Sequence, residues 1–446
     1  MTSRRKFLQS AAQTGLGMAT GLILPAPLLA QKLKVAPSDQ LRFGVIGCKG
    51  MGFSNARSLL KIPATRCVAL CDVDQQVLDQ RSKDLMEMGQ DKPLIYGDYR
   101  KMLENKELDF VVIGTPDHWH CLQMVDALEA DKHVYVEKPL ANSIQECDIM
   151  LRAEQYHKKT VQVGMWQRSG QHWQEAMAFV HAGHLGKIRT VKTWAYQGWM
   201  NPVPIHSNEA APKGVNYDLW LGPAPQKPFN KNRFHFNFRW FWDYAGGLMT
   251  DWGVHIIDFA LYGMKASYPK SVMASGGKFA YPNDASETPD TLTAVYEFDD
   301  FTMIWEHATG IDLGPYGRNH GVAFIGNKGT LVVDRQGWEV MAEEDWNEEE
   351  KRQVPKMAVP EKKERAGSDL DQHTLNFVDG MKTGQRPNSS VDIAHLTAVV
   401  AHMGNIAFKT GRKVYWDQAK SMFIDDQMAN NLCKVTYRQP WNLPKY

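Results

Sequence analysis

The sequence predicts an α/β protein of two modules: a parallel sheet wrapped by helices, then an α+β module built on a large, mostly antiparallel open sheet. Three observations predict it. Apolar strand-like runs alternate with helix-periodic stretches over 41–165, a glycine-rich turn follows the first run, and β-rich alternation takes over after residue 165. Strand and helix in alternation give parallel sheets, because each return of the chain crosses the sheet as a helix.

The chain of 446 residues opens on a segment that stands apart. In 1–30, Arg4 and Arg5 precede Phe7 and Leu8 and then a mild apolar run broken by glycines. This resembles a twin-arginine export signal, an address for proteins delivered folded, often with a cofactor inside. The run 15–24 is about half of the roughly 20 apolar residues a membrane span needs. A periplasmic or otherwise exported protein with no stable membrane insertion is therefore expected, with 31–40 as a linker.

Composition excludes several classes. Basic and acidic residues balance at 51 and 50, for a net charge of +1, so nucleic acid is not an expected partner. The six cysteines, Cys48, Cys67, Cys71, Cys121, Cys147 and Cys433, lack metal-ligand spacing and read as buried single thiols; no metal site is expected. With 14 Trp, 15 Tyr and 18 Phe, the chain has aromatics enough to fill a sheet core and to stack on sugar rings.

In the first module, strands are expected at 42–47, 67–72, 110–115, 133–138 and 160–165, with helices between them. A ligand crevice belongs at the carboxyl ends of such strands. At the first end stands "GVIGCKGMG", whose Gly47, Lys49, Gly50, Met51 and Gly52 lead into a helix, and Asp72 ends the second strand about 20 residues on. This is the pattern of a Rossmann dinucleotide site, with glycines for close backbone approach and an acid for the ribose hydroxyls. Asp72 argues for NAD over NADP, since its carboxylate repels a 2′-phosphate. Lys49 occupies the usual middle-glycine position, and Gly50 is expected to supply the freedom that Lys49 lacks.

Two further strand ends face the same crevice. "GTPDHWH" brings Thr115, Pro116, His118 and His120, read as cofactor-contacting or structural groups because no carboxylate or cysteine completes a metal set. "HVYVEKPLA" brings Glu137 and Lys138. Trp166 and Arg168 follow the last parallel strand; with Trp199 they either reach a substrate or pack at the module junction.

The second module, 166–446, shows strand patterns at 187–199, 290–298, 302–308, 321–334 and 338–342. A helix is expected over 246–264 with Thr250 as a possible cap; Asp251 and His255, four apart, share one face. Alone, they read equally as a capping acid and a core histidine. The aromatic and basic stretch 232–247 is either a sugar-stacking wall or a subunit contact. Two helical patterns, 371–384 and 394–411, follow a charged surface excursion at 338–368.

Together, "GVIGCKGMG", "CDVD", "GTPDHWH", "EKPLA" and the D-x-x-x-H of "DWGVH" resemble, in this order, the glucose-fructose oxidoreductase and inositol dehydrogenase family, Gfo/Idh/MocA. The resemblance implies that Lys138, Asp251 and His255 meet beside the nicotinamide of a tightly bound NAD. It implies an oxidoreductase acting on a sugar, glycoside or polyol hydroxyl, with His255 as base, Lys138 as electrostatic group and Asp251 as positioner; the roles of Lys138 and His255 are exchangeable. Some exported relatives are NAD-dependent glycoside hydrolases of family 109, working by oxidation, elimination, hydration and reduction, which gives a second reading. A non-catalytic carbohydrate-binding relative is a third. A homo-oligomer, dimer or tetramer, is also implied.

Overall fold

The computed structural model describes residues 40–446, so the expected export signal at 1–30 and the expected linker up to residue 39 lie outside the described residues. The first module is a six-stranded parallel sheet of β1 (Leu41–Ile46), β2 (Thr65–Cys71), β3 (Leu94–Tyr96), β4 (Phe110–Ile113), β5 (His133–Val136) and β6 (Val161–Val163). Its order is β3-β2-β1-β4-β5-β6. Alternate residues feed the cores on opposite faces: Phe110 and Val112 join one, Val111 and Ile113 the other. The pattern missed β3, a three-residue edge strand whose Leu94 is exposed. The strand order reverses between β1 and β4, and a crevice opens there at the strands' carboxyl ends.

The second module carries β7 (Ile188–Gln197), β8 (Ser271–Gly277), β9 (Thr291–Glu297), β10 (Thr302–Thr309), β11 (His320–Gly326), β12 (Gly329–Asp334), β13 (Gly337–Ala342), β14 (Glu344–Asn347), β15 (Arg352–Pro355), β16 (Lys363–Glu364), β17 (Val414–Asp417) and β18 (Met422–Phe423). Ten of them form one sheet in the order β16-β13-β12-β11-β7-β10-β9-β8-β17-β18, antiparallel except for the central β7–β10 pair. That parallel pair exists because the chain leaves β7 on a long crossover, 198–301, which carries the strap and helices that build the site. The charged excursion is itself ordered: β14 and β15 pair as a hairpin, and β16 joins the sheet edge.

Helices Gln171–His181, Gly253–Met264 and Val391–Thr410 cover one face of this sheet. Val391–Thr410 is long and apolar enough to cross a membrane, but most of it is buried in this core. Helix Asp369–Thr383 returns to the first module, where Phe377 sits edge-on to Phe110 and Tyr135, 5.4 and 5.8 Å between ring centroids. Five cysteines are buried, Cys433 is half-buried, and all six are free thiols.

The helix expected over 246–264 is two segments, Gly247–Asp251 and Gly253–Met264, broken at Trp252. Thr250 is not an N-cap; its hydroxyl accepts the Gly246 N–H at 3.1 Å from inside the first segment. Trp252 stays right-handed (φ −95°, ψ −35°), so Asp251 and His255 keep a common side across the break.

Candidate active site

The crevice is a cavity of about 610 Å³ between the strand ends of the first module and the crossover of the second. Gly47, Lys49, Gly50, Met51, Asp72, Thr115, Pro116, Glu137 and Lys138 line it, as the sequence predicts. Lys49 occupies ordinary extended backbone (φ −93°, ψ 163°), whereas Gly50 takes φ +48°. The middle-glycine position is therefore one a side chain tolerates, and the left-handed requirement has moved one residue on. No side chain caps helix Gly50–Leu59, and its first residues line the cavity, leaving its first-turn amides free for an anion.

Asp72 accepts the backbone N–H of Cys48 (2.8 Å) and of Asp74 (3.1 Å), and burial pushes its carboxyl up to about 6. An uncapped helix start, an acid at the second strand end and a close-packed glycine turn are the features a dinucleotide needs, so these residues fit NAD. Arg81 reaches the same wall from helix Gln75–Glu87, but its guanidinium lies over Phe53 and is held by Asp84 (2.6 Å) and the Cys48 carbonyl (3.2 Å).

Three expected cofactor contacts are corrected. Gly52 is behind the wall: a Cβ there would lie 1.9 Å from the Gly47 carbonyl oxygen, so it serves helix–strand packing. His118 is buried against Trp220 and Tyr244, its Nε2 3.2 Å from the Trp220 carbonyl. His120 is wedged between the carbonyls of Pro139 (2.8 Å) and Thr115 (3.0 Å), bracing two strand-end loops.

The chemistry-bearing residues converge. Lys138 Nζ meets Asp251 Oδ1 at 2.6 Å and the Asp251 carbonyl at 2.9 Å, and Arg239 Nε reaches the same Oδ1 at 3.2 Å. Burial alone would raise the Asp251 carboxyl, but the Lys138 and Arg239 charges outweigh it and hold it well below the usual carboxylate range. His255 stands beside this pair but off the cavity wall, its ring 5.9 Å from that of Trp166. Its Nδ1 is buried without a partner. Burial, then the Arg335 and Lys138 charges, hold the imidazole neutral, well below its ordinary value.

Of the expected substrate residues, Arg168 is removed by the structure. It forms a two-point ion pair with buried Asp258 (2.7 Å each) and lies over Tyr262, joining two core segments. Trp199 is exposed and stands 6.0 Å from Phe236, which lines the cavity. Trp166 lies against His255. The stretch 232–247 forms a wall: Phe236, Phe238 and Arg239 line the cavity, while Trp240, Phe241 and Tyr244 anchor them from a buried aromatic cluster.

Pattern reasoning missed Asp117, Arg239, Arg335 and Arg81. Asp117 lines the cavity inside a motif already singled out, and burial pushes its carboxyl up to about 7. Arg239 lies within the aromatic and basic stretch 232–247, twelve residues before Asp251, and Arg81 on the helix after β2; Arg335 arrives from a distant turn, and no local spacing marks it.

A family model described as "Oxidoreductase family, NAD-binding Rossmann fold" matches residues 41–165. A second, "Oxidoreductase family, C-terminal alpha/beta domain", matches 186–331 and 348–443. The chain belongs to the Gfo/Idh/MocA oxidoreductase family. Its first module is thus an NAD-binding domain, and NAD is its cofactor. Among curated relatives, a "Glycosyl hydrolase family 109 protein 1" of Shewanella sp. (strain ANA-3) is 31% identical over 160 residues, 32% of this chain and 35% of that protein. An alpha-N-acetylgalactosaminidase of Shewanella oneidensis is 31% identical over 165 residues, with the same coverage. The chain thus spans about a third of the length of these relatives. Among solved structures, levoglucosan dehydrogenase in complex with NADH superposes with a TM-score of 0.64 at 17% identity, covering 84% of this chain and 99% of that one. Aldose-aldose oxidoreductase from Caulobacter crescentus, complexed with glycerol, gives 0.61 at 21% identity, covering 84% and 99%. At these identities the likeness is one of fold.

Proposed function

We propose that the protein is an exported NAD-dependent oxidoreductase acting on a hydroxyl of a sugar, glycoside or polyol. The observation that carries this reading is the contact of Lys138 with Asp251 at the cavity wall, beside the uncapped helix start and with His255 adjacent. NAD, when bound, supplies the hydride acceptor. Lys138, positioned by Asp251, orients the substrate hydroxyl and stabilises negative charge developing on its oxygen. Neutral His255, beside Asp251, is the group we assign to take the hydroxyl proton. Arg239 and Lys138 share Asp251, which fixes the carboxylate and leaves the ammonium directed at the cavity.

Retention of the cofactor is supported by a strap from the crossover. Leu219, Trp220, His235 and Phe236 line the cavity. Around them the strap is tied to the first module by Gln75 N–H to the Gly214 carbonyl (3.0 Å), Asn216 N–H to the Val73 carbonyl (2.8 Å), and His235 Nε2 to Asp74 Oδ2 (3.0 Å). Export, supported by Arg4 and Arg5, gives such retention a purpose, since an exported enzyme is remote from cytoplasmic NAD.

A second reading is favoured by the family 109 relatives: glycoside cleavage, beginning with the same removal of a hydroxyl proton and ending with water in place of the aglycone. The test uses folded, signal-free protein with no added cofactor. Denaturation is expected to release NAD or NADH; a cofactor-free, inactive protein would sink both enzyme readings. With a glycoside panel, one stoichiometric reduction that becomes catalytic only with added acceptor marks the oxidoreductase. Repeated cleavage with no net change in cofactor redox state marks the glycosidase.

A further inference from the structure

The turn between β12 and β13 presents a cation that the mechanism above does not use. Asp334 Oδ1 accepts the backbone N–H of Gln336 (2.8 Å) and of Gly337 (3.1 Å) and meets Arg318 Nη1 at 2.9 Å. The turn is therefore fixed, and its own carboxylate is committed. Arg335, the next residue, places its guanidinium between the indoles of Trp166 and Trp252, 4.5 and 4.3 Å from their ring centroids. Both indoles also flank His255, at 5.9 and 6.5 Å between rings. Arg335 thus stands at the proposed base, sharing its two flanking indoles.

Among the described residues the guanidinium forms no ion pair, and Asp251 and Asp369 act on it only at longer range. Of the nearby acids, Asp251 is paired with Lys138 and Arg239, and Asp369 with Arg365 at 3.5 Å. The side chain's one hydrogen bond among the described residues is a long one, Nη2 to Gln167 Oε1 at 3.3 Å, and its Nε is buried without a partner. Burial brings it down to about 10. Among the charges that act on His255, Arg335 and Lys138 stand against the single carboxylate of Asp251. A buried charge without its opposite is costly, and a ligand that brings the opposite charge recovers that cost on binding.

We infer that Arg335 is an anion subsite beside the oxidising centre, and that the substrate is a saccharide bearing a carboxylate or a sulfate ester that docks against the Trp166–Arg335–Trp252 stack. Among the described residues Nη1 of the stacked guanidinium is uncommitted and available to an oxyanion, and the indoles offer flat apolar surface to a sugar ring. The inference rests on the saccharide reading of the cavity and adds its charge.

The test is calorimetric titration of the NAD-loaded protein with three methyl glycosides each of glucose and galactose: neutral, 6-carboxylate and 6-O-sulfate. In wild type, one anionic form is expected to bind about 10- to 100-fold more tightly than its neutral parent; whether the carboxylate or the sulfate does so identifies the anion. Arg335→Gln is expected to bring that ratio to about one, and Arg335→Lys to keep part of it. Should Arg335→Gln fail to fold, the Arg335→Lys ratio carries the comparison. Equal or tighter binding of the neutral sugars by wild type overturns the inference while leaving the saccharide reading intact. So does a preference that survives in folded Arg335→Gln. Failure of every sugar to bind overturns both.

Discussion

At the scale of single residues, the site is organised by charges held close and dry. Lys138 and Asp251 are only 12% and 18% exposed, so their 2.6 Å contact is little screened by water. Because the Asp251 carboxyl is depressed, the stability it contributes is present above the ordinary carboxylate range and is lost only in strong acid. The carboxylate is thus ionised throughout the ordinary working range. Asp251→Asn is expected to lower kcat by about 10²-fold or more in steady-state assays while NAD still binds. His255→Ala is expected to cost at least about two orders in turnover with cofactor affinity preserved; near-wild-type activity would remove His255 from the mechanism. Asp72 behaves oppositely to Asp251. Its folded value, raised to about 6, means that its contribution to stability is present below the unfolded value of 3.8 and lost as pH rises through about 6. Only the ionised form accepts ribose hydroxyls with both oxygens, so NAD affinity measured by fluorescence titration should weaken as pH falls below about 6.

At the scale of elements, the start of helix Gly50–Leu59 separates two roles that a glycine-rich motif merges. Gly50 supplies the left-handed backbone, Gly52 the close packing, and Lys49 neither. Lys49→Gly is therefore expected to change the NAD dissociation constant by less than about 10-fold. A tightening by orders of magnitude would mean that the native loop is a degraded site. Gly52→Ala drives a methyl into the Gly47 carbonyl, and far greater loss of both melting temperature and cofactor binding is expected than for Gly50→Ala, whose Cβ meets nothing within 4 Å. The catalytic helix shows what periodicity conveys and what it misses. The four-residue spacing of Asp251 and His255 was legible, whereas the break at Trp252 was not, because Trp252 itself remains right-handed and only the ladder around it changes.

At the scale of the whole molecule, the ten-stranded sheet has helices on one face, while Met273, Val295, Ile304 and Ile325 are exposed or half-buried along strands β8 to β11. We propose that this face pairs with a second copy of the chain. Light scattering should then give at least twice the chain mass, and Ile304→Lys should reduce it; a monomer at all concentrations would sink the pairing. The sequence by itself determined the alternation that makes a parallel sheet and the strand ends where ligands gather, with Asp72 and Lys138 on two of them, whereas the meeting of Lys138 with Asp251 and His255 was implied by the family resemblance alone. These signals are local, since strand period, turn chemistry and helix spacing act over a few neighbours. Only the tertiary structure decided that Arg168 belongs to Asp258, that His118 and His120 brace loops, and that Arg239 and Arg335 enter the site. Those outcomes depend on which segment fills the space beside a charge, and neither the irregular stretch that turns Arg239 back onto Asp251 nor the hairpin that brings Arg335 to His255 leaves a period in the chain.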